Sequence, residues 1–504
     1  MPIINYFLIA ISGILITKST LFWIYLVQLK EYRFKRLMDY FRTTSGKRLL
    51  YNPLVPVFTT ALRHPKFTKK AIALFALTII LETLTIMLTA AYLPHLIFLI
   101  LALATLFPLI FIYFSLVLIK PLDVIVRGKI LRRATEKMAR LKNLTAIGVT
   151  GSYGKTSTKE FLAAILATKF KVIKTPEHRN VETGIAQFIT ESVNDSYDFF
   201  VCEMGGYEKG DIATIVKIIK PKIGVLTGAN EQHLSLFGSM DNLLSAEGGW
   251  ELVNEIPKDG FIVANGANKY TREIYEKTNV AKLITSAVQD YETDVWASDI
   301  KVYPEHIEFK IYSKKNSAGV QFRADLLGAQ NIENILLAAA TAEKLGINLE
   351  DMVKPVSEFK PMGKTMVLSK LPSGINLIDS SYASNPNAVL AHLEYLKSWG
   401  NAKKIVVMPC LIELGTASVQ RHEEIGEHLA AVTDLSIITT SEHYFHILTG
   451  AKRMIGDAAK DKILFIDNAE RIVEQIRYVA TKGDVILLEG KSSKYIINKI
   501  KNEI

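Results

Sequence analysis

Three apolar stretches near the start of the chain restrict its fold more than any other feature. They cover Tyr6–Val27, Ala71–Leu93 and Leu96–Ile119, and each reaches the roughly 20 helical residues that cross a bilayer. Hydrocarbon offers no partner to a backbone N–H or C=O group, so such segments are predicted to be helices. The alternative is three core helices of a water-soluble domain, and Lys18 interrupts the first stretch. Because these stretches are apolar on every side of the helix over such lengths, membrane-spanning helices are favoured over core helices.

A net charge of +10 indicates either a surface that binds nucleic acid or basic residues beside membrane spans, and the distribution of the charge distinguishes the two. Residues 1–142 carry 20 Lys or Arg and 5 Asp or Glu, whereas the rest carries 40 against 45. The excess of positive charge therefore belongs to the apolar region, and the remainder is slightly acidic. An acidic remainder has no electrostatic reason to bind nucleic acid, so we expect no nucleic-acid partner.

The same basic residues predict how the chain crosses the membrane, because Lys and Arg mark cytoplasmic loops. They lie between the first two stretches and again after Lys120, which predicts an external N-terminus and a cytoplasmic chain after residue 120. No basic segment precedes the first stretch and no small-residue cleavage site follows it, so we expect the segment to be retained. Glu82 lies inside the second stretch, where ionisable groups are costly, but the sequence indicates no partner for it.

From Leu144 onward, β-branched runs alternate with helical segments, which is typical of parallel sheets with crossover helices. The predicted strands are Thr145–Val149, Phe199–Met204, Ile223–Thr227, Ile375–Asp379, Lys404–Met408, Leu435–Thr439, Ile463–Ile466 and Asp484–Leu488, and Asn331–Leu345 is a predicted helix. The resulting fold class is α/β, with a membrane region over 1–142, a parallel-sheet domain over 143–362 and a Rossmann-like domain over 363–504. Cys202 and Cys410 lie far apart within apolar runs, which favours reduced thiols.

The loop after the first of these strands has the composition of a phosphate-binding loop. It reads Gly151, Ser152, Tyr153, Gly154, Lys155, Thr156 and Ser157, and a helix is predicted to follow. Glycines let successive N–H groups face a phosphate, Lys155 adds a positive charge, and Thr156 offers a hydroxyl to Mg²⁺. The spacing is shorter than in the usual GxxxxGK[ST] loop, but the order of strand, loop and helix is the same. We therefore expect ATP and Mg²⁺ as cofactors.

The loop TGSYGKTS resembles that of Mur ligases and their folylpolyglutamate synthase relatives, and further motifs follow in the order of that family. NVETG begins at Asn180, CEMGG contains Glu203, and TGANEQHLSLFGS contains His233. The resemblance implies that Asn180 positions substrate and that Glu203 and His233 bind metal together with Thr156. In GAQNIEN, Asn331 either approaches the nucleotide base or caps a helix.

The motif IDSSYASNP is similar to a segment of the Mur ligases that add D-alanyl-D-alanine. It contains Asp379, Tyr382 and Asn385, and the resemblance implies that Asp379 orients the nucleotide or acceptor and that the other two contact substrate. MPCLIELG, with Glu413, and the segment that begins at His422 follow the same branch of the family. Lys364 stands where that branch has arginine and Glu489 where it has lysine, and Lys364 remains a predicted substrate contact.

Two departures from the family affect the function. Relatives carry a carbamylated lysine after the histidine motif, whereas SAEGGWE has no lysine. Our hypothesis is that Glu247 replaces the carbamate as a catalytic carboxylate beside Lys155, Glu203 and His233. The family's N-terminal nucleotide-sugar-binding domain is also absent, and the membrane region stands in its place.

Activity is therefore predicted as ATP-dependent ligation of a muramyl-peptide carboxylate to D-alanyl-D-alanine or a similar amine, through an acyl phosphate. The expected partners are these two substrates, the lipid bilayer and other cell-wall enzymes. Two alternatives remain: a related ligase or modifying subunit that acts on a lipid-linked precursor, and a membrane-anchored nucleotide-binding scaffold.

Overall fold

The computed structural model describes residues 2–42, 44–52, 63–287, 293–361, 365–381, 385–490 and 494–504. The chain divides into two compact units, Met1–Lys129 and Ile130–Ile504. The first unit is helical, and the second contains two sheets.

Helices α1 to α6 form the first unit, and α6 continues into the second. They are α1 (Pro2–Leu29), α2 (Phe34–Arg42), α3 (Thr44–Tyr51), α4 (Lys69–Tyr92), α5 (Ile97–Leu106) and α6 (Leu109–Arg140). Among the described residues, three helical segments are long and apolar enough to cross a membrane: Ile11–Leu29, Lys69–Tyr92 and Leu109–Arg140. The number agrees with the prediction, although the third segment differs.

The predicted third span, Leu96–Ile119, is not one helix. Helix α5 ends at Leu106, and α6 begins at Leu109 and runs to Arg140. Between them Phe107 has φ −128° and ψ 49°, outside the helical region, as expected before Pro108 because the proline ring disfavours helical geometry in the preceding residue. Helix α5 has 10 residues, about 15 Å of helix, which is too short to cross a bilayer.

Polar side chains join the long helices inside the first unit. Thr20 Oγ1 of α1 donates to Glu82 Oε1 of α4 at 3.1 Å, which supplies the partner that the sequence did not indicate. Thr78 Oγ1 donates to Ser115 Oγ of α6 at 3.0 Å. Around these contacts the helices pack through buried apolar side chains such as Trp23 and Leu74.

The second unit begins with a nine-stranded sheet, here called the larger sheet. Its strands are β1 (Thr145–Thr150), β2 (Val172–Lys174), β3 (Phe199–Glu203), β4 (Ile223–Leu226), β5 (Phe261–Asn265), β6 (Ala281–Ser286), β7 (Val295–Val302), β8 (Ile307–Ser313) and β9 (Val320–Ala324). They are arranged in the order β2-β3-β1-β4-β5-β6-β7-β8-β9. Strands β1 to β7 pair in parallel, whereas β8 and β9 pair antiparallel.

Helices cover both faces of the larger sheet. They are α7 (Lys155–Leu166), α8 (Glu182–Ser192), α9 (Asp211–Ile219), α10 (Leu234–Phe237), α11 (Met240–Ala246), α12 (Trp250–Val253), α13 (Lys269–Lys277), α14 (Gln330–Lys344) and α15 (Leu349–Ser357). Strand β3 is buried along its whole length, as expected of a parallel strand between two helical layers. The two layers form two separate hydrophobic clusters.

A six-stranded sheet, the smaller sheet, completes the unit in the order β10-β11-β15-β12-β13-β14. Its elements are β10 (Val367–Lys370), β11 (Asn376–Ser380), α16 (Pro386–Leu396), β12 (Lys404–Met408), α17 (Ser418–Val432), β13 (Leu435–Ile438), α18 (Tyr444–Ile455), α19 (Ala459–Lys462), β14 (Ile463–Phe465), α20 (Ala469–Val479), β15 (Val485–Glu489) and α21 (Lys494–Glu503). Only β10 pairs antiparallel. The predicted α/β class is confirmed, and all eight predicted strands occur within one residue of their expected ends.

Helices α17 and α18 approach each other at two glycines. A Cβ atom on Gly426 would collide with the carbonyl oxygen of Ile447, and one on Gly450 with that of Glu423. His422, one turn before Gly426, is buried; its Nε2 accepts from the N–H of Leu411 at 3.0 Å, and its Nδ1 lies 2.6 Å from the carbonyl oxygen of Ser418. Burial lowers the pKa of His422 to about 4. The predicted His422 motif therefore holds a helix pair and a loop in place.

We expect Gly426→Ala to destabilise the second unit by about 1–3 kcal/mol, because the added methyl group forces the two helices apart. Glu427→Ala is the matched control, since its contact with Arg453 is a partly exposed ion pair of small energetic value. The thermal unfolding midpoint should fall in Gly426→Ala and stay near that of the wild type in the control. Equal midpoints in the two variants would show that the close contact contributes nothing.

Candidate active site

The phosphate loop lies between β1 and α7, as predicted. Gly151 and Gly154 have φ angles of +148° and +74°, which residues with a Cβ atom rarely adopt. The N–H of Ser152 donates to the carbonyl oxygen of Gly228 at 2.7 Å, and a Cβ atom on Gly154 would collide with Asn334 Oδ1. The loop is therefore fixed, with the N-terminus of α7 open to an anion.

Side chains of the loop are held by neighbouring segments. Lys155 Nζ donates to the carbonyl oxygen of Gly151, and Ser152 Oγ accepts from the N–H of Asn230 at 3.3 Å. Tyr153 OH accepts from Asn268 Nδ2 at 3.2 Å; burial raises the pKa of Tyr153, although this hydrogen bond opposes the rise. Ser157 lies in the first turn of α7.

Glu203 ends β3 beside the phosphate loop, where the structure brings three predicted site residues together. Its Oε1 accepts from Thr156 Oγ1 at 3.1 Å and from Asn180 Nδ2 at 3.0 Å. Only 5% of Glu203 is exposed. A carboxylate and a hydroxyl at the carboxyl edge of a parallel sheet provide the oxygen ligands that Mg²⁺ prefers.

Lys159 was missed by the sequence analysis, although it lies four residues after Lys155. It is completely buried, and its Nζ is 3.3 Å from Glu203 Oε2 and 3.3 Å from Glu160 Oε1. Lys174 in turn pairs with Glu160. The four side chains form a row of alternating charge that ends at Glu203, so the buried carboxylate is balanced without a metal. A lysine within a helix that has a buried face was the only available signal.

We expect Lys159→Met to lower the unfolding midpoint in EDTA strongly, because removing one member of a buried ion pair costs about 3–5 kcal/mol. If Mg²⁺ binds Glu203, adding Mg²⁺ with ATP should raise the unfolding midpoint more in this variant than in the wild type, because the ion replaces the lost positive charge. Lys174→Met, at the exposed end of the row, is the control. Equal Mg²⁺ effects in all three proteins would contradict the assignment of Glu203.

A second charged group surrounds Glu247, which is 1% exposed. Its Oε1 lies 3.8 Å from Lys155 Nζ and 3.4 Å from His233 Nδ1, and His233 Nε2 lies 3.9 Å from Glu413 Oε2. Burial alone would raise the pKa of Glu247, but the charges of Lys155 and His233, with hydrogen bonds from His233 and Ser152, lower it below its usual value. Glu247 is therefore an anion next to the lysine of the phosphate loop.

Two of the three predicted metal ligands, Glu203 and Thr156, offer the oxygen atoms that Mg²⁺ prefers. The described part of the chain contains no cluster of three or more His, Cys, Asp or Glu side chains that could hold a metal, and His233 contacts Glu247, Glu413 and the ring of Tyr207. Mg²⁺ commonly uses one or two carboxylates and completes its shell with phosphate and water. Glu203 with Thr156 meets this requirement, and His233 remains a predicted ligand.

The segment after β4 also joins the larger sheet to the loops of the smaller sheet. Asn230 Nδ2 donates to Asn385 Oδ1 and to Asn387 Oδ1, each at 3.0 Å. The guanidinium of Arg421 donates to both carboxylate oxygens of Glu231, at 3.0 and 2.9 Å from Nη2. Asn385 thus lies at the contact between the two sheets, and it also caps α16.

The remaining predicted residues have structural contacts. Asn331 Nδ2 donates to the carbonyl oxygen of Leu327 at 3.0 Å, while Asn334 Oδ1, one turn later, accepts from Thr158 of α7 at 3.2 Å. Asp379 accepts from Lys501 Nζ at 2.6 Å and from Ser381 Oγ at 2.6 Å. Lys364 and Tyr382 lie outside the described residues.

Glu333 is a buried acid that was not identified from the sequence. On α14, its Oε1 accepts from the N–H of Ala287 at 2.9 Å, whereas its Oε2 is buried with no hydrogen-bond partner. Burial raises the pKa of Glu333 to about 7, and the hydrogen bond from Ala287 opposes this rise. Its charge also contributes to the raised pKa of Tyr153 in the phosphate loop.

A raised pKa means that Glu333 contributes stability below its unfolded pKa of about 4.5 and loses that contribution as the pH rises through about 7. We therefore expect the unfolding midpoint of Glu333→Gln to fall less between pH 5 and pH 8 than that of the wild type. The control is Glu358→Gln, at an exposed position. Parallel pH profiles for Glu333→Gln and the wild type would contradict the titration of Glu333 in this range.

Comparison with known proteins identifies related sequences and folds. The family model "Mur ligase middle domain" matches residues 149–342, and "Mur ligase, glutamate ligase domain" matches residues 366–492. The UDP-N-acetylmuramoyl-tripeptide–D-alanyl-D-alanine ligase of Bacillus subtilis is 27% identical over 359 residues, which cover 71% of this chain and 75% of the relative. The Escherichia coli enzyme of the same name is 25% identical, with 67% and 73% covered.

Solved structures share the fold. MurF from Acinetobacter baumannii superimposes with a TM-score of 0.66 at 23% identity and covers 75% of this chain and 81% of that chain. A MurF ligase from Thermotoga maritima in complex with ADP gives a TM-score of 0.62 at 24% identity, with 74% and 82% covered. Both family models match residues after the apolar region, and the first match begins at residue 149.

Proposed function

Because the chain belongs to the Mur ligase family, a family of ATP-dependent ligases, we propose that it joins D-alanyl-D-alanine to the terminal carboxylate of a muramyl peptide. The relatives from Bacillus subtilis and Escherichia coli carry that activity in their names. The observation that carries the proposal is that two neighbouring residues of the phosphate loop each contact a buried carboxylate, Lys155 that of Glu247 and Thr156 that of Glu203. Loops of the smaller sheet contact the adjacent segment at Asn230.

The proposed reaction has two steps. A carboxylate oxygen of the donor attacks the γ-phosphorus of ATP, the bond to the β-phosphate oxygen breaks, and an acyl phosphate and ADP form. The acceptor amine then attacks the acyl carbon, the C–O bond to phosphate breaks, and the nitrogen loses a proton. Inorganic phosphate leaves, so each turn gives one amide, one ADP and one phosphate.

This chain's residues act mainly by position and charge. The N–H groups of the phosphate loop and Lys155 hold the nucleotide phosphates, and Glu203 with Thr156 would hold Mg²⁺, which neutralises charge on the transferred group. Asn180 fixes Glu203. We propose that Tyr382 and Lys364 contact the acceptor, and Asn385, which Asn230 ties to the larger sheet, would lie on the acceptor side of the site.

We also propose that the protein is a multi-pass membrane protein whose catalytic part is cytoplasmic. Residues 1–142 would be the membrane region, 143–362 the ATP-binding domain and 363–504 the acceptor domain. Three helices have the required length and apolar composition, and 20 Lys or Arg against 5 acidic residues in 1–142 follow the rule that positive loops stay inside. Cysteine labelling at position 95 and at position 47 from either side of sealed vesicles tests this orientation.

The function is tested with full-length protein in detergent, ATP and Mg²⁺, by phosphate release and mass spectrometry of the product. We expect release only when a muramyl-peptide donor and D-alanyl-D-alanine are both present, with a product heavier by the dipeptide less water. Lys155→Ala should abolish release, whereas Lys129→Ala should not. ATP binding without release under any donor and acceptor combination would favour the alternative of a nucleotide-binding scaffold.

The contacts of Glu247 support its proposed role as a replacement for the carbamylated lysine found in relatives. A carbamate supplies an anion near the transferred phosphoryl group, and Glu247 is an anion 3.8 Å from Lys155 Nζ and 3.4 Å from His233 Nδ1. The carboxylate is encoded in the chain, so this enzyme would not need carbon dioxide to complete its site.

We therefore expect wild-type turnover to be unchanged in buffer depleted of carbon dioxide. Glu247→Gln should lose at least about 100-fold in kcat, as removal of one preorganised electrostatic group does in other enzymes. Glu247→Lys should regain part of that loss only when bicarbonate is added. The exposed Glu255→Gln is the control, and full Mg²⁺-dependent turnover in Glu247→Gln would rule out the proposed role.

A further inference from the structure

A cavity in the first unit lies where helices α1, α4 and α6 meet residues of the basic loop, the segment rich in Lys and Arg between the first two apolar stretches. It has a volume of about 360 Å³ and is bounded by the end of α1, the turn before α2, the start of α4 and the middle of α6. We call it the interfacial pocket, because we expect it to lie at the membrane–water interface. Its polar lining residues are Tyr32, Arg33, Lys70, Lys120 and Asp123. All of them are on the side that the basic loop assigns to the cytoplasm.

The pocket carries more positive than negative charge. Arg33, Lys70 and Lys120 face one acid, Asp123. Lys70 Nζ lies 2.8 Å from Asp123 Oδ2 and 4.6 Å from the centre of the Tyr32 ring, so this pair and the aromatic face fix one another. The net charge of the lining is therefore +2, at the level where the helices leave the apolar region.

The rest of the pocket lining is apolar. It consists of side chains from α1, α2 and α6, including Val27, Leu37 and Leu116. Among the lining residues, Phe34 is 58% exposed and Val117 is 50% exposed. A lining that combines cationic and apolar side chains matches an amphiphile, which has both an anionic group and a hydrocarbon chain.

The turn that precedes Arg33 has a strained backbone. Glu31 and Tyr32 have φ angles of +56° and +57°, a conformation that is costly for residues other than glycine. The N–H of Tyr32 donates to the carbonyl oxygen of Val27 at 2.9 Å, and Gln28 Nε2 donates to Tyr32 OH at 3.2 Å. These contacts hold Tyr32 and Arg33 at the pocket, and strain of this kind is found where a binding group is held in advance.

We propose that the interfacial pocket binds the pyrophosphate group of a lipid-linked muramyl-peptide donor. A phosphodiester lipid carries one negative charge, whereas a pyrophosphate that links a lipid to a sugar carries two and therefore matches the lining charge of +2. The relatives leave about a quarter of their own length unmatched by this chain, so donor recognition requires another surface. The inference rests on the proposed ligase activity and membrane location.

The test uses full-length protein in nanodiscs of neutral phospholipid, with ATP, Mg²⁺ and D-alanyl-D-alanine. Three proteins are compared: the wild type, the double variant Arg33→Gln with Lys120→Gln, and the control Lys47→Gln with Lys129→Gln, which removes two exposed charges outside the pocket. Each is assayed with a donor linked through pyrophosphate to a polyprenyl lipid and with the soluble UDP-linked donor.

We expect the wild type to use the lipid-linked donor with the lower KM. In the pocket variant this KM should rise at least about ten-fold, with kcat and the KM values for ATP and dipeptide unchanged, and the control should behave as the wild type. Direct binding of the lipid-linked donor to the protein in nanodiscs, measured without ATP, should be weaker in the pocket variant than in the wild type and the control. Anionic phospholipid should not compete at a similar concentration.

The failures of the two proposals differ. Turnover of the UDP-linked donor alone, or an unchanged KM for the lipid-linked donor in the pocket variant, would overturn the pocket assignment and leave the ligase activity standing. Competition by anionic phospholipid at equal concentration would show a site for ordinary headgroups and would also overturn the assignment. Absence of turnover with either donor would remove the ligase proposal and, with it, the inference.

Discussion

The buried ion pair between Lys159 and Glu203 is the interaction on which the candidate site depends. An isolated carboxylate at 5% exposure would pay a large desolvation penalty, and Lys159, itself completely buried, balances it at 3.3 Å. Because this charge is balanced from inside α7, both oxygens of Glu203 have fixed partners, and Thr156 and Asn180 converge on the same oxygen. The geometry of the phosphate loop and of β3 is thereby coupled.

Glu247 is the second buried carboxylate of the site, and it too lies beside a lysine of α7. Here the anion is central, and Lys155 and His233 are its cationic or hydrogen-bonding neighbours. Lys155 Nζ also donates to the carbonyl oxygen of Gly151. In the proposed reaction Lys155 would exchange this contact for a phosphate oxygen, while Glu247 stays near its ammonium group.

The parallel strands and the phosphate loop could be predicted because their signals are local: β-branched runs, and glycines at fixed offsets from Lys155. The strands β7 to β9 extend the larger sheet as consecutive antiparallel strands, but no motif marked them in the sequence. Lys159 was not identified because its partners Glu203 and Thr175 are distant in the sequence. The end of α5 beside Pro108 was not predicted, because the span Leu96–Ile119 was assigned from its apolar composition and the proline was not taken into account.

The contacts between the two sheets explain why some predicted residues have dual roles. Asn385 caps α16 and also meets Asn230, and Glu413 approaches His233 through its side chain while its carbonyl oxygen accepts from the N–H of Ser235 at 3.2 Å. The two-pronged pair of Arg421 and Glu231 adds geometric specificity that lysine would not supply. Since Glu231 lies two residues before His233, the Arg421 pair attaches the smaller sheet to the segment that contacts Glu247, and we therefore expect any change in the contact between the sheets to alter the charge arrangement at Lys155.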